Sequence, residues 1–115
     1  MPMLAMCMPI LPGKLDKWKA MMEQVNSTPD FAKSREEAGV HERSFFQRTT
    51  NGDFLIITME GDDPTASWAQ IMSTMPPEFA EFAAEVHGLD VNGPPPQMPE
   101  LFFYSLASQI GCGGM

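Results

Sequence analysis

Three residues of this chain carry the chemistry best suited to a small molecule: His41, Arg43 and Glu60. An imidazole titrates near neutrality and could give or take a proton. A guanidinium offers a forked pair of donors to a carbonyl or an anion. His41 and Arg43 are two residues apart, so in an extended segment both face the same way. Each also has a plainer role open to it. Arg43 with Glu60 could be an ion pair tying the ends of a hairpin, and His41 could be a solvated residue where a strand begins. His87 precedes Gly88 and could carry a proton from a helix end, or simply complement the negative pole there. Tyr104, the only tyrosine, could orient a carbonyl through its hydroxyl or pack with that hydroxyl satisfied. Trp68 could wall a cavity or fill a core.

The element that must position most of these groups is a hairpin over residues 40–61. Asn51-Gly52 is the dipeptide best suited to a type I′ turn, which places the arms 41–49 and 54–60 side by side. A loop of those two residues sets Phe46 against Ile57, Ser44 against Met59 and Arg43 against Glu60. One side of the hairpin then carries Phe46, Leu55, Ile57 and Met59 and suits packing under helices. The other mixes Phe45, Phe54 and Ile56 with His41, Arg43, Gln47, Thr58 and Glu60. That side is too apolar for open water and too polar for an ordinary core, which suits a subunit contact or a ligand cavity. Gln47, Phe45, Ile56, Thr58, Glu60 and Trp68 are accordingly the expected substrate-contacting residues, with His41, Arg43, His87 and Tyr104 as the chemical groups.

Around the hairpin, Met3 to Ile10 is an apolar run that reads as a strand buried on both faces, with Cys7 as a small buried residue. Leu15, Trp18, Met21, Met22 and Val25 recur at helical spacing. Thr28-Pro29-Asp30 opens a second helical piece ending at Gly39, with Thr28 as its cap. Asp62-Asp63-Pro64 repeats the device before a stripe of Trp68, Ile71, Met72 and Met75. Pro77 to His87 is a further helix closed by Gly88. Asn92 to Pro99 is a stiff linker, and Glu100 to Ala107 reads as a last strand. The domain is expected to span 1–107, with 108–115 a flexible Gly-rich tail. Strand, helix, hairpin, helix, strand is the ferredoxin-like order: an α+β fold with one four-stranded antiparallel sheet. Helices cover only one face, so two copies of the chain are expected to pair through the other.

The balance of charge narrows the partners. A net charge of −8 argues against nucleic acid and anionic membranes. Met1 to Leu11 is apolar but has no basic leader, so no secretory signal is expected, and two unpaired-looking cysteines fit a cytoplasmic setting. No metal-ligand spacing is present, and no cofactor is expected.

The strand ending in Ile10-Leu11-Pro12-Gly13-Lys14, the hairpin with Asn51-Gly52-Asp53-Phe54-Leu55, and His87-Gly88 together resemble the dimeric α/β-barrel superfamily, and within it a small bacterial branch. The resemblance covers most of residues 3–107. It implies face-to-face pairing of two sheets. It also implies a small apolar or aromatic ligand, with cofactor-independent oxygenase, isomerase or cyclase chemistry among the activities. Haem-using members exist, for which His87 would be the axial ligand. Cyclase and stress-responsive members often carry a His-Pro-x-His segment where this chain has Met75-Pro76-Pro77-Glu78-Phe79, so those histidines are missing. Two further readings stand beside this one. The chain could be a non-catalytic structural or binding homodimer. Its start, Met1-Pro2-Met3, is also similar to the tautomerases, in which a freed Pro2 amine would be the base.

Overall fold

Alternating apolar residues build the sheet, and it is the sheet that everything else leans on. The computed structural model of the chain describes residues 2–90, 92–93, 98–103 and 105. In chain order the elements are β1 (Met3–Ile10), α1 (Leu15–Ser27), α2 (Pro29–Ala38), β2 (Val40–Thr49), β3 (Gly52–Gly61), α3 (Pro64–Ser73) and α4 (Pro77–His87). The strands form an antiparallel sheet in the order β1-β3-β2, so β3 is central. All four helices lie on one face. The fold is α+β, and the strand and helix spans expected from periodicity are present through His87.

The last strand is a correction. Among the described residues, the sheet has three strands, and Glu100 to Phe103 are not in one. Leu101, Phe102 and Phe103 are 80%, 93% and 81% exposed. An apolar run becomes a strand only when a neighbour takes up its backbone N–H and C=O groups, and no described residue of this run pairs with the edge of β1. Tyr104 and the tail 108–115 lie outside the described residues.

The hairpin is also shifted from its expected register. Thr49 pairs with Gly52, Phe46 with Leu55, Arg43 with Thr58 and His41 with Glu60. The loop is therefore Thr50-Asn51. Only Gly52, at φ 123°, takes a positive φ there, so this is not a type I′ turn. The cause is Thr49. Its hydroxyl accepts the Asn51 N–H at 3.1 Å and donates to the Gly52 carbonyl at 2.7 Å, stabilising a different turn. Because the shift is two residues, every side chain keeps its face.

β1 is an edge strand and not one buried on both sides. Met6 and Ile10 are buried, whereas Met3, Ala5, Cys7 and Pro9 are exposed on the helix-free face. The core sits under the helices: Met6, Ile10, Leu55, Ile57 and Met59 from the sheet, with Trp18, Val40, Ile71 and Val86. Met59 and Val86 are fully enclosed, and burying a side chain of that size contributes about 1.5–3 kcal/mol.

Helix ends fix the layers. The Asp63 carboxylate accepts the Ala66 N–H at 3.1 Å and caps α3. Thr28 sits at the N-cap of α2, but its side chain makes no cap bond, contrary to expectation. Gly39 ends α2 in the left-handed region at φ 77°, and its carbonyl lies so near Gly61 that a Cβ there would collide with it. That close approach lets β2 leave α2 directly against the end of β3. Ser67 donates to the Ala38 carbonyl at 2.7 Å and joins α3 to the same corner. The Leu11 N–H donates to the Val86 carbonyl at 2.8 Å, tying the exit of β1 to α4. Among the described residues no helix is long and apolar enough to cross a membrane.

Candidate functional site

The helices do not close fully onto the sheet. Between the covered face and the helices lies an open cleft of about 1460 Å³. Its walls follow from the apolar stripes already described. Trp18, Met21, Met22 and Val25 come from α1, Trp68 and Met72 from α3, Met75 from the connection after it, Phe79 and Phe82 from α4, and Phe46, Leu55 and Ile57 from the sheet. Trp18 stacks on Phe46 with ring centroids 5.7 Å apart. Phe31 and Phe79 meet edge to face at 5.1 Å across the α2–α4 side. Such aromatic pairs keep their geometry while the methionines between them adapt to shape.

A few polar groups interrupt this lining. Arg35 of α2 donates from Nε to Glu42 Oε1 of β2 at 2.7 Å, and from Nη1 to Ser34 Oγ at 2.9 Å. Ser34 in turn donates to the Phe31 carbonyl at 2.8 Å. The side chains of Arg35 and Glu42 are 29% and 18% exposed, so this pair is half withdrawn from water. Ser44 lies one step along the same face of β2. The Trp18 indole N–H is buried without a hydrogen-bond partner among the described residues.

His87 lies at the inner end. It is 9% exposed, and its Nδ1 lies 2.7 Å from the Pro9 carbonyl. A carbonyl can only accept, so Nδ1 carries the proton and Nε2 keeps a free lone pair. Burial pushes the imidazole below its ordinary pKa range, and the Pro9 carbonyl opposes that only in part. His87 is therefore a neutral imidazole in one tautomer, held edge-on to Phe82 with centroids 6.1 Å apart.

Of the residues singled out in the sequence, His87 and Trp68 line this cleft, whereas His41 and Arg43 border it at the β2 edge with side chains on the helix-free face. His41 and Arg43 are exposed. Arg43 donates to Glu60 Oε1 at 2.5 Å, diagonally across the strands and not to a direct neighbour. Phe45, Gln47, Ile56, Thr58 and Glu60 belong to the helix-free face and do not line the cleft. There they stand in cross-strand rows with β1: Met3-Glu60-His41, Ala5-Thr58-Arg43, Cys7-Ile56-Phe45 and Pro9-Phe54-Gln47. Cys7, expected to be buried, is exposed in the third of these rows. Pro2 is exposed and its carbonyl accepts the Gly61 N–H at 3.2 Å, outside the cleft.

Ser34, Arg35 and Glu42 were missed by sequence reasoning. One signal was present: Glu42 shares its face with Phe46 and lies opposite Met59, so it is a carboxylate on a core-facing stripe. No three His, Cys, Asp or Glu side chains among the described residues are grouped to hold a metal ion.

A three-stranded antiparallel sheet with helices on one face, opening to a cleft on the helical side, defines an α+β fold. A solved structure is similar to the chain in fold: tetracenomycin F2 cyclase from Streptomyces glaucescens, a type-II polyketide cyclase. The match has a TM-score of 0.50 and 18% sequence identity, and covers 91% of this chain and 97% of that one. Likeness at that identity speaks to the fold. No family model and no curated protein matches the chain.

Proposed function

We propose that the chain binds a small apolar or aromatic molecule in the cleft between sheet and helices, and acts on it by cofactor-independent chemistry of the cyclase, isomerase or oxygenase type. The observation that carries this reading is the cleft itself: a large opening walled by Trp18, Phe46, Trp68, Phe79 and Phe82, with a few fixed polar groups. Ligand sites have that composition, whereas cores close. The likeness to a polyketide cyclase adds weight to ring-bearing ligands. His87 is the group suited to proton transfer, because burial keeps it neutral and the Pro9 bond leaves Nε2 free as a base. His41 and Arg43 face the other side of β2 and would reach a ligand only at that edge of the cleft. Calorimetric titration with naphthalene should show saturable binding, and Ser44→Trp, which fills the cleft from the sheet side, should abolish it. Absence of heat from the unaltered protein would overturn the reading.

The helix-free face supports a second element, pairing of two copies. Met3 and Phe45 are 58% and 50% exposed there beside Cys7 and Ile56, and the open edge of β1 adjoins them. In this reading Phe45, Gln47, Ile56, Thr58 and Glu60 serve assembly more than ligand contact. If assembly were the whole function, the chain would be a non-catalytic dimer, and the naphthalene titration separates the two.

A further inference from the structure

We propose that the Arg35–Glu42 pair selects the ligand of the cleft, favouring a neutral ring that carries a hydrogen-bond acceptor beside a donor, such as a carbonyl next to an enolic, phenolic or amide group. The proposal rests on the ligand-binding reading of the cleft and goes on to name the chemistry recognised there.

Both residues line the cleft, one from α2 and one from β2. The guanidinium is held at two points, Nε by Glu42 Oε1 and Nη1 by Ser34 Oγ. Ser34 is itself fixed by the Phe31 carbonyl. Among the described residues, Arg35 Nη2 and Glu42 Oε2 make no hydrogen bond. A donor and an acceptor that belong to one fixed ion pair thus border the cleft. A ligand edge with an acceptor and a donor in the same order satisfies both at once, and charge assistance strengthens each bond.

The pair also tells against other ligands. Glu42 already neutralises Arg35, so a carboxylate entering here meets a carboxylate, and the chain's net charge of −8 repels it further. A ring without polar atoms leaves the two free groups shielded from water and unpaired, which is costly. A fastening between α2 and β2 alone would not need such withdrawal. The other ion pairs among the described residues, Lys14 and Lys17 with Glu85, Arg43 with Glu60 and Arg48 with Asp53, all include a more exposed partner.

The test compares three ring systems of equal size by calorimetric titration: 2-quinolone, which places an N–H beside a carbonyl, naphthalene, which has neither, and 2-naphthoate, an anion. The protein should bind 2-quinolone about tenfold or more tighter than naphthalene, as one charge-assisted hydrogen bond allows, and 2-naphthoate more weakly than naphthalene. The Arg35→Met/Glu42→Met double variant keeps the packing volume, and should lose the preference by binding naphthalene more tightly, with no polar group left unpaired, and 2-quinolone more weakly. Glu42→Gln is the second variant. It keeps the shape but turns an amide donor toward the ligand N–H, and should also lose the preference. Equal binding of 2-quinolone and naphthalene by the unaltered protein would overturn the selection and leave the cleft reading intact. Preference retained in either variant would overturn it as well. Binding of none of the three would remove the cleft reading and this proposal together.

Discussion

The two faces of one sheet contrast sharply. Along β3, Leu55, Ile57 and Met59 are buried at 5%, 6% and 0% exposure, while their alternating neighbours Phe54, Ile56, Thr58 and Glu60 are only partly covered. The backbone is the same and the side chains on both faces are largely apolar. What differs is the partner. The covered face receives α1, α3 and α4, and the other receives no helix. The comparison teaches that burial here is conferred by what packs on a residue and not by its own hydrophobicity.

The contrast can be broken most directly by truncation on each side. Met59→Ala should cost about 2–5 kcal/mol in urea unfolding, because the enclosed site is left with a cavity. Ile56→Ala, three residues earlier and on the opposite face, should cost less than about 1 kcal/mol in dilute solution. If the cost of Ile56→Ala grows with protein concentration, the face is covered by a second copy. If both substitutions cost the same at every concentration, the two faces do not differ as described.

A pH experiment sharpens the covered side. The folded-state pKa of His87 is lowered, by burial first, against an ordinary value of 6.5. Below that value the unfolded chain takes up a proton that the folded chain resists. Stability is therefore undiminished above pH 6.5 and falls as pH drops from there toward the lower folded pKa. His87→Gln should flatten that portion of the stability–pH curve. A curve of unchanged slope in the variant would mean another group is responsible.

The smallest effect belongs to the outer surface. Glu85 accepts hydrogen bonds from Lys17 and Lys14, whose ammonium groups hold it below the usual carboxylate range. All three side chains are exposed and screened by water and salt. Glu85→Gln should leave the unfolding midpoint unchanged within error, and a clear drop would show that α1 and α4 depend on this clamp.

Much of the framework was legible because local rules act over a few residues. Proline at the first helical turn, Asp63 as a cap, and glycine at 39 and 88 set the helix limits. Alternation in 54–59 placed Leu55, Ile57 and Met59 together. The turn was misjudged because the Thr49 hydroxyl, and not Asn51-Gly52, chose its type. The site was misjudged more seriously. Polar residues on a half-apolar face looked like a lining, but the cleft formed on the opposite face, where Arg35 and Glu42 meet.

The chain alone thus determined its elements, their order and which residues share a side, since these follow from backbone preference and a period of two or 3.6. Only the tertiary structure decided which side was roofed, that the roof stood off the sheet to leave a cleft, and that Arg35 and Glu42 from different elements faced one another. Those outcomes depend on how far helices sit from strands, a distance no single stretch of sequence encodes.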